Sequence, residues 1–147
     1  MDVSSIFPSF IQEREVYYFV SDRISSDIPH YFICIKKTPN EVLIFTCCTT
    51  QFEKREKYII QKGYSMRTLV YINPTDSGTS LTENTLVDCN QYFTYTLEDF
   101  TKLFNEGKVS LKGTLDEVYY EKLIIGLHES SVIEAELKSQ LPPHPEK

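Results

Sequence analysis

The chain has 147 residues, of which 41% are apolar and 24% charged, with ten Tyr and nine Phe. This fits one globular domain with a core of its own and leaves too little for a second. No run approaches the roughly 18 apolar residues of a membrane span, and Met1 to Ser5 have no basic start ahead of an apolar stretch, so neither a membrane segment nor a secretory signal is expected. A net charge of −6 excludes a protein that coats nucleic acid through an overall basic surface.

In chain order, residues 1 to 14 read as a short helical or irregular lead-in broken by Pro8. Glu15 to Val20 is a strand, and Ser21 to Pro29 a polar loop carrying Arg23. The most β-prone stretch follows: Tyr31 to Ile35 and Val42 to Cys48 form a hairpin around Thr38-Pro39-Asn40. Strands so apolar on both sides belong in the middle of a small sheet, with Thr46, Thr49 and Thr50 emerging at its rim and His30 beside them. Phe52 to Gly63 reads equally as a helical turn or as a strand with an excursion. Thr68 to Ile72 is a strand, residues 73 to 80 a loop, and Leu86 to Cys89 with Tyr92 to Tyr95 one bent strand or two short ones.

Thr96 caps a helix with Glu98 and Asp99 in its first turn, stopping at Gly107. Val109 to Lys112 adds an edge strand. Thr114 to Glu117 reads as a capping box opening the longest helix, about 115 to 128, and Ser131 to Glu134 as a second box opening a shorter one. Strands first and helices last exclude a doubly wound parallel sheet and predict a mainly β fold, a bent antiparallel sheet or barrel with C-terminal helices. Residues 1–141 form the single domain and the Pro-rich residues 142–147 a disordered tail.

Lys36 to Arg67 holds seven basic and three acidic residues, a net of +4 that leaves −10 elsewhere. That region can meet phosphate, or its charges are solvated loop and strand-edge residues. Cys34, Cys47, Cys48 and Cys89 form no Cys-x-x-Cys pair and read as buried reduced thiols, which places the chain in the cytoplasm. Three scattered histidines (His30, His128, His144) without a carboxylate cluster give no metal site. No glycine loop or nucleophile elbow points to a cofactor, nucleotide hydrolysis or acyl transfer.

Three segments carry a family likeness: Val16 to Val20 as a first strand; Pro29 and Tyr31 to Ile35 leading to Cys48-Thr49-Thr50-Gln51; and Asp88 to Thr96, with Gln91 and Thr94, ahead of the helical tail. Over about 120 residues this resembles the PemK/MazF-like toxins of bacterial toxin-antitoxin systems, which share an SH3-like barrel with the gyrase poison CcdB. The resemblance implies a homodimeric endoribonuclease that cuts single-stranded RNA without metal and is silenced by a cognate antitoxin. One departure stands out: RNA-cutting members place Arg before the Pro, and this chain has Ile28. Arg23 from the preceding loop, or Arg67, would then supply the positive charge.

Cutting RNA without metal needs a base for the ribose 2′-hydroxyl, an acid for the leaving 5′-oxygen and a donor for the phosphorane. The expected catalytic set is His30, whose unperturbed pKa lies near neutrality, with Thr49 and Arg23. Lys36, Lys54, Arg55, Arg67 and Gln51 are the expected RNA-binding residues. Phe52, Tyr58 and Tyr64 could stack bases or simply fill the faces of the sheet. Without Arg before Pro29, the same barrel could instead act by binding a protein, as gyrase poisons do, or serve only as an interaction module.

Overall fold

The computed structural model describes residues 11–147. Seven strands, Glu15–Phe19 (β1), His30–Lys37 (β2), Val42–Thr49 (β3), Leu69–Ile72 (β4), Thr85–Asp88 (β5), Phe93–Thr96 (β6) and Ser110–Thr114 (β7), form one antiparallel sheet. Four helices accompany it: Phe52–Lys62 (α1), Leu97–Asn105 (α2), Glu117–Glu129 (α3) and Ala135–Gln140 (α4). Most of the lead-in expected before Glu15 lies outside the described residues. The fold is therefore mainly β with two helices at its C-terminal end. α2 followed by the edge strand β7 is as expected, but α1 falls between β3 and β4, so the strands are not all ahead of the helices. No helix among the described residues is long and apolar enough to cross a membrane.

The undecided segment after β3 is a helix anchored by one buried side chain, closed by a glycine cap and helped by one exposed charge pair. Glu53 and Lys57 lie one turn apart with a 3.5 Å contact, Ile59 is the buried anchor, and Gly63 takes φ +71° so that its N–H reaches the carbonyls of Ile59 and Ile60. Thr96 does cap α2, accepting from the Asp99 N–H at 3.0 Å. At α3 the cap is Asp116, whose carboxylate accepts from the Val118 N–H, rather than Thr114. At α4 the N-cap is Glu134, which makes no side-chain cap bond, rather than Ser131.

The sheet runs β4-β5-β3-β2-β1-β7, with β6 also on β3. One edge of β3 pairs with β2; the other pairs with β6 over Val42 to Phe45 and then with β5 at Cys48 and Thr49. This change of partner curls the sheet. Its concave side holds Val16, Ile33, Ile35, Ile44, Val70 and Val87, closed over by Leu123 and Leu127 of α3. The opposite face packs Tyr17, Phe19, Phe32 and Phe45 against Phe100 of α2. β2 and β3 are thus buried on both sides, as their composition requires. Thr46, expected at the rim, is fully buried, with a hydroxyl that has no hydrogen-bond partner.

No strand ladder joins β4 to β7 across the curl, so the sheet does not close into a barrel. The loop after β4 spans the gap instead: Thr79 bridges Gly113, the Ser80 N–H donates to the Lys112 carbonyl at 2.8 Å, and the Asp116 N–H donates to the Ser77 carbonyl at 2.7 Å. Gly113 has φ +108°, and a Cβ there would lie 3.1 Å from the Gly78 carbonyl oxygen, so only glycine fits this crossing. Residues 142–147, expected to be disordered, lie beside α3. The His128 Nε2 donates to the Pro142 carbonyl at 2.7 Å, and Arg67 bonds Glu146 at 2.6 Å.

Candidate functional site

A cleft of ≈ 570 Å³ opens where β2 begins and β3 ends, within the size range of small-molecule sites. One wall is the segment from Ile24 to Tyr31, and Cys47 to Gln51 runs along another side. Arg55 of α1, the 81–83 turn, Asp88, Gln91 and Phe93 complete it. Pro29 lacks an N–H, so the β2 ladder starts one residue later and sets His30 opposite Phe19 at the cleft.

His30 Nδ1 lies 3.0 Å from the Ile28 carbonyl. A carbonyl only accepts, so Nδ1 carries the proton and the Nε2 lone pair is left able to take one. The Thr49 hydroxyl accepts from the Gln51 N–H at 3.1 Å, and its own proton remains to be donated. Arg55 places Nη1 3.4 Å from Asp88 Oδ2. Asp88, only 5% exposed, accepts at Oδ1 from the Asn90 N–H and side-chain amide, both at 2.9 Å. Asn90 in turn donates to Thr68 and accepts from Ser130. The carboxylate that holds Arg55 is thus itself held by a buried polar network.

The thiols at the cleft are not nucleophiles near neutral pH. Burial pushes Cys47 up to about 12 despite the opposing pull of Arg55, and burial raises Cys48 further still. All four cysteines are free. Among the described residues, no group of His, Cys, Asp and Glu is arranged to hold a metal ion.

The structure brings His30, Thr49, Gln51 and Arg55 to one cleft and places the other expected residues elsewhere. Arg23 lies over the Tyr95 ring, 4.1 Å from its centroid, with Nε on the Thr94 carbonyl and Nη1 on Asp22. It borders an adjoining depression that Arg55 and Gln91 also line, but not the cleft. Lys36 sits at the far end of β2, its Nζ 4.0 Å from Glu13. Lys54 is exposed on α1, outside the lining. Arg67 is held by Glu129 and Glu146 at 2.9 and 2.6 Å. Phe52 packs on Tyr71 and Tyr58 on Tyr64, away from the lining.

Sequence reasoning missed Asp88, Tyr18 and Tyr31 as site residues. Asp88 falls inside the strand read over Leu86 to Cys89 and carried no signal of its own. The two tyrosines looked like core, although the pairing of two β-prone segments was a signal that their side chains would meet. The charged lining is Arg55 against Asp88 and Glu83, with His30 beside them. Comparison with protein-family models and with curated proteins finds no match for the chain.

Proposed function

We propose that this cleft binds single-stranded RNA and cuts it without metal, in the manner of a PemK/MazF-type toxin. The observation that carries the reading is the convergence of His30, Thr49, Gln51 and Arg55 on one cleft, with His30 oriented so that Nε2 can accept a proton. A sheet curled around one core, with a loop in place of the last ladder, supports reading the fold as an opened variant of the SH3-like barrel. Arg55 takes the role expected of Arg23.

In this reading His30 Nε2 removes the 2′-hydroxyl proton and the 2′-oxygen attacks phosphorus. Thr49 donates to one non-bridging oxygen while Arg55 turns from Asp88 toward the other, stabilising the phosphorane. The bond to the 5′-oxygen breaks, and that oxygen takes a proton from water in the open cleft. The products are a 2′,3′-cyclic phosphate and a 5′-hydroxyl. The chain acts in the cytoplasm as a homodimer and is silenced by an antitoxin. Ile28, 62% exposed at the cleft, offers that partner an apolar contact.

Two carboxylates in the lining favour a second reading, in which the cleft binds a protein and cuts nothing. Inducible expression separates the two. Growth arrest with new RNA 5′-ends, lost in His30→Gln and in Arg55→Gln, is expected for the nuclease. Arrest with intact RNA and broken DNA favours the protein-binding reading and removes the first.

A further inference from the structure

We propose that Tyr18 and Tyr31, with Lys112 beside them, form the platform on which one base of a single-stranded RNA stacks as the strand enters the cleft. This rests on the reading of the cleft as an RNA site and assigns the part of it that holds a base.

Tyr18 and Tyr31 sit directly opposite each other on β1 and β2, their ring centroids 4.5 Å apart and their planes inclined by 35°. They belong to the same row as Val16, Ile33 and Ile35, which is fully buried inside the curl. At Tyr18 and Tyr31 the cover ends, so both rings are half-buried and both line the cleft. Tyr31 directly follows His30, which puts the platform next to the proposed base.

Lys112 Nζ stands 5.8 Å from the centre of the Tyr18 ring, and no carboxylate among the described residues forms an ion pair with it. Tyr18 lies between Tyr31 on one side and the Lys112 ammonium over its ring, so the base is received on the cleft side of Tyr31, backed by Tyr18, and the unneutralised ammonium meets the neighbouring phosphate, which together is what one nucleotide of a single strand requires. An acidic peptide would use the ammonium and leave the flat rings unused. Within the cleft Arg55 is held by Asp88, so the unpaired cation beside the rings gives the strand its place to enter.

The probe is a fluorescein-labelled 2′-O-methyl RNA hexamer, which has no free 2′-hydroxyl and cannot be cut, followed by fluorescence anisotropy at low salt. Tyr18→Leu and Tyr31→Leu should each weaken binding by about 5- to 150-fold. Tyr18→Phe and Tyr31→Phe, which keep the ring, should stay within about twofold of wild type. Lys112→Gln should lower the slope of log affinity against log salt by about 0.7. Wild-type affinity in both Leu variants, equal losses in Phe and Leu variants, or no binding of any hexamer overturns the platform. Ring-dependent binding without cutting of unmodified RNA keeps the platform and removes the nuclease. Cutting with wild-type affinity in the Leu variants does the reverse.

Discussion

His30 and Arg55 reach the cleft for local reasons that differ in how far they could be read. Pro29 before a β-prone run fixes where the ladder starts, so the position of His30 at a rim was legible. Arg55 was expected only as a phosphate contact, because its place depends on a carboxylate 33 residues away. Arg23 was favoured instead, yet Asp22, the Thr94 carbonyl and the Tyr95 ring occupy it on another side. The cysteines yield a pH prediction at this same scale. Cys34, Cys47, Cys48 and Cys89 are all raised by burial, so the folded state holds these protons more tightly than the unfolded chain. Their contribution is complete below about pH 8.5, where free thiols are protonated, and is lost as pH rises toward the folded values. Chemical denaturation from pH 7 to 10 should show stability falling above about pH 8.5, by up to about 1.4 kcal/mol per pH unit per thiol. A flat profile would show that the thiols are not buried.

Among the elements, those with a strong local signal were read correctly. The β2-β3 hairpin is bounded by Pro29 and the Pro39 turn. The cap at Thr96, with acids behind it, marks α2. The helix α1 was left open because Phe52 and Ile59 give too few inward positions to set a period, and the residues between them are mostly charged. Its stability comes from packing Ile59 against Leu69 and Leu86, a long-range contact that no local pattern announces. The capping boxes at 114–117 and 131–134 misled for a related reason: the motif fits several registers, and only the chain geometry selects Asp116. Thr96→Ala should cost about 1 kcal/mol in urea unfolding. Glu134→Gln, which keeps an acceptor for the Tyr92 hydroxyl and has no cap bond to lose, should cost under about 0.5 kcal/mol. Equal costs would remove the distinction between the two caps.

For the whole molecule, a mainly β fold with a bent antiparallel sheet followed from strand spacing, while the place of the bend and the open edge did not. Curvature arises where β3 exchanges β6 for β5, a choice settled by residues far downstream, as in Thr49 with Leu86 and Val42 with Thr96, and the gap is spanned by a segment whose composition signalled only a loop. The crossing of Gly78 and Gly113 makes this testable. Gly113→Ala imposes a side chain at φ +108° against the Gly78 carbonyl and should lower stability by about 1–3 kcal/mol. Hydrogen exchange should then quicken at Ser80 and Asp116, whose N–H groups bond across the gap. Unchanged stability would mean that the loop does not hold the sheet edges together. The curl also sets the site, since it brings the start of β2 and the end of β3 to the same opening. The most direct measurement is the cutting of a labelled single-stranded RNA by purified protein in excess chelator, wild type beside His30→Gln. Wild type should leave 2′,3′-cyclic phosphate ends, and His30→Gln should be at least about 100-fold slower with the same melting temperature. Equal rates in the two proteins, or cutting that stops when divalent metal is removed, would contradict the proposed nuclease.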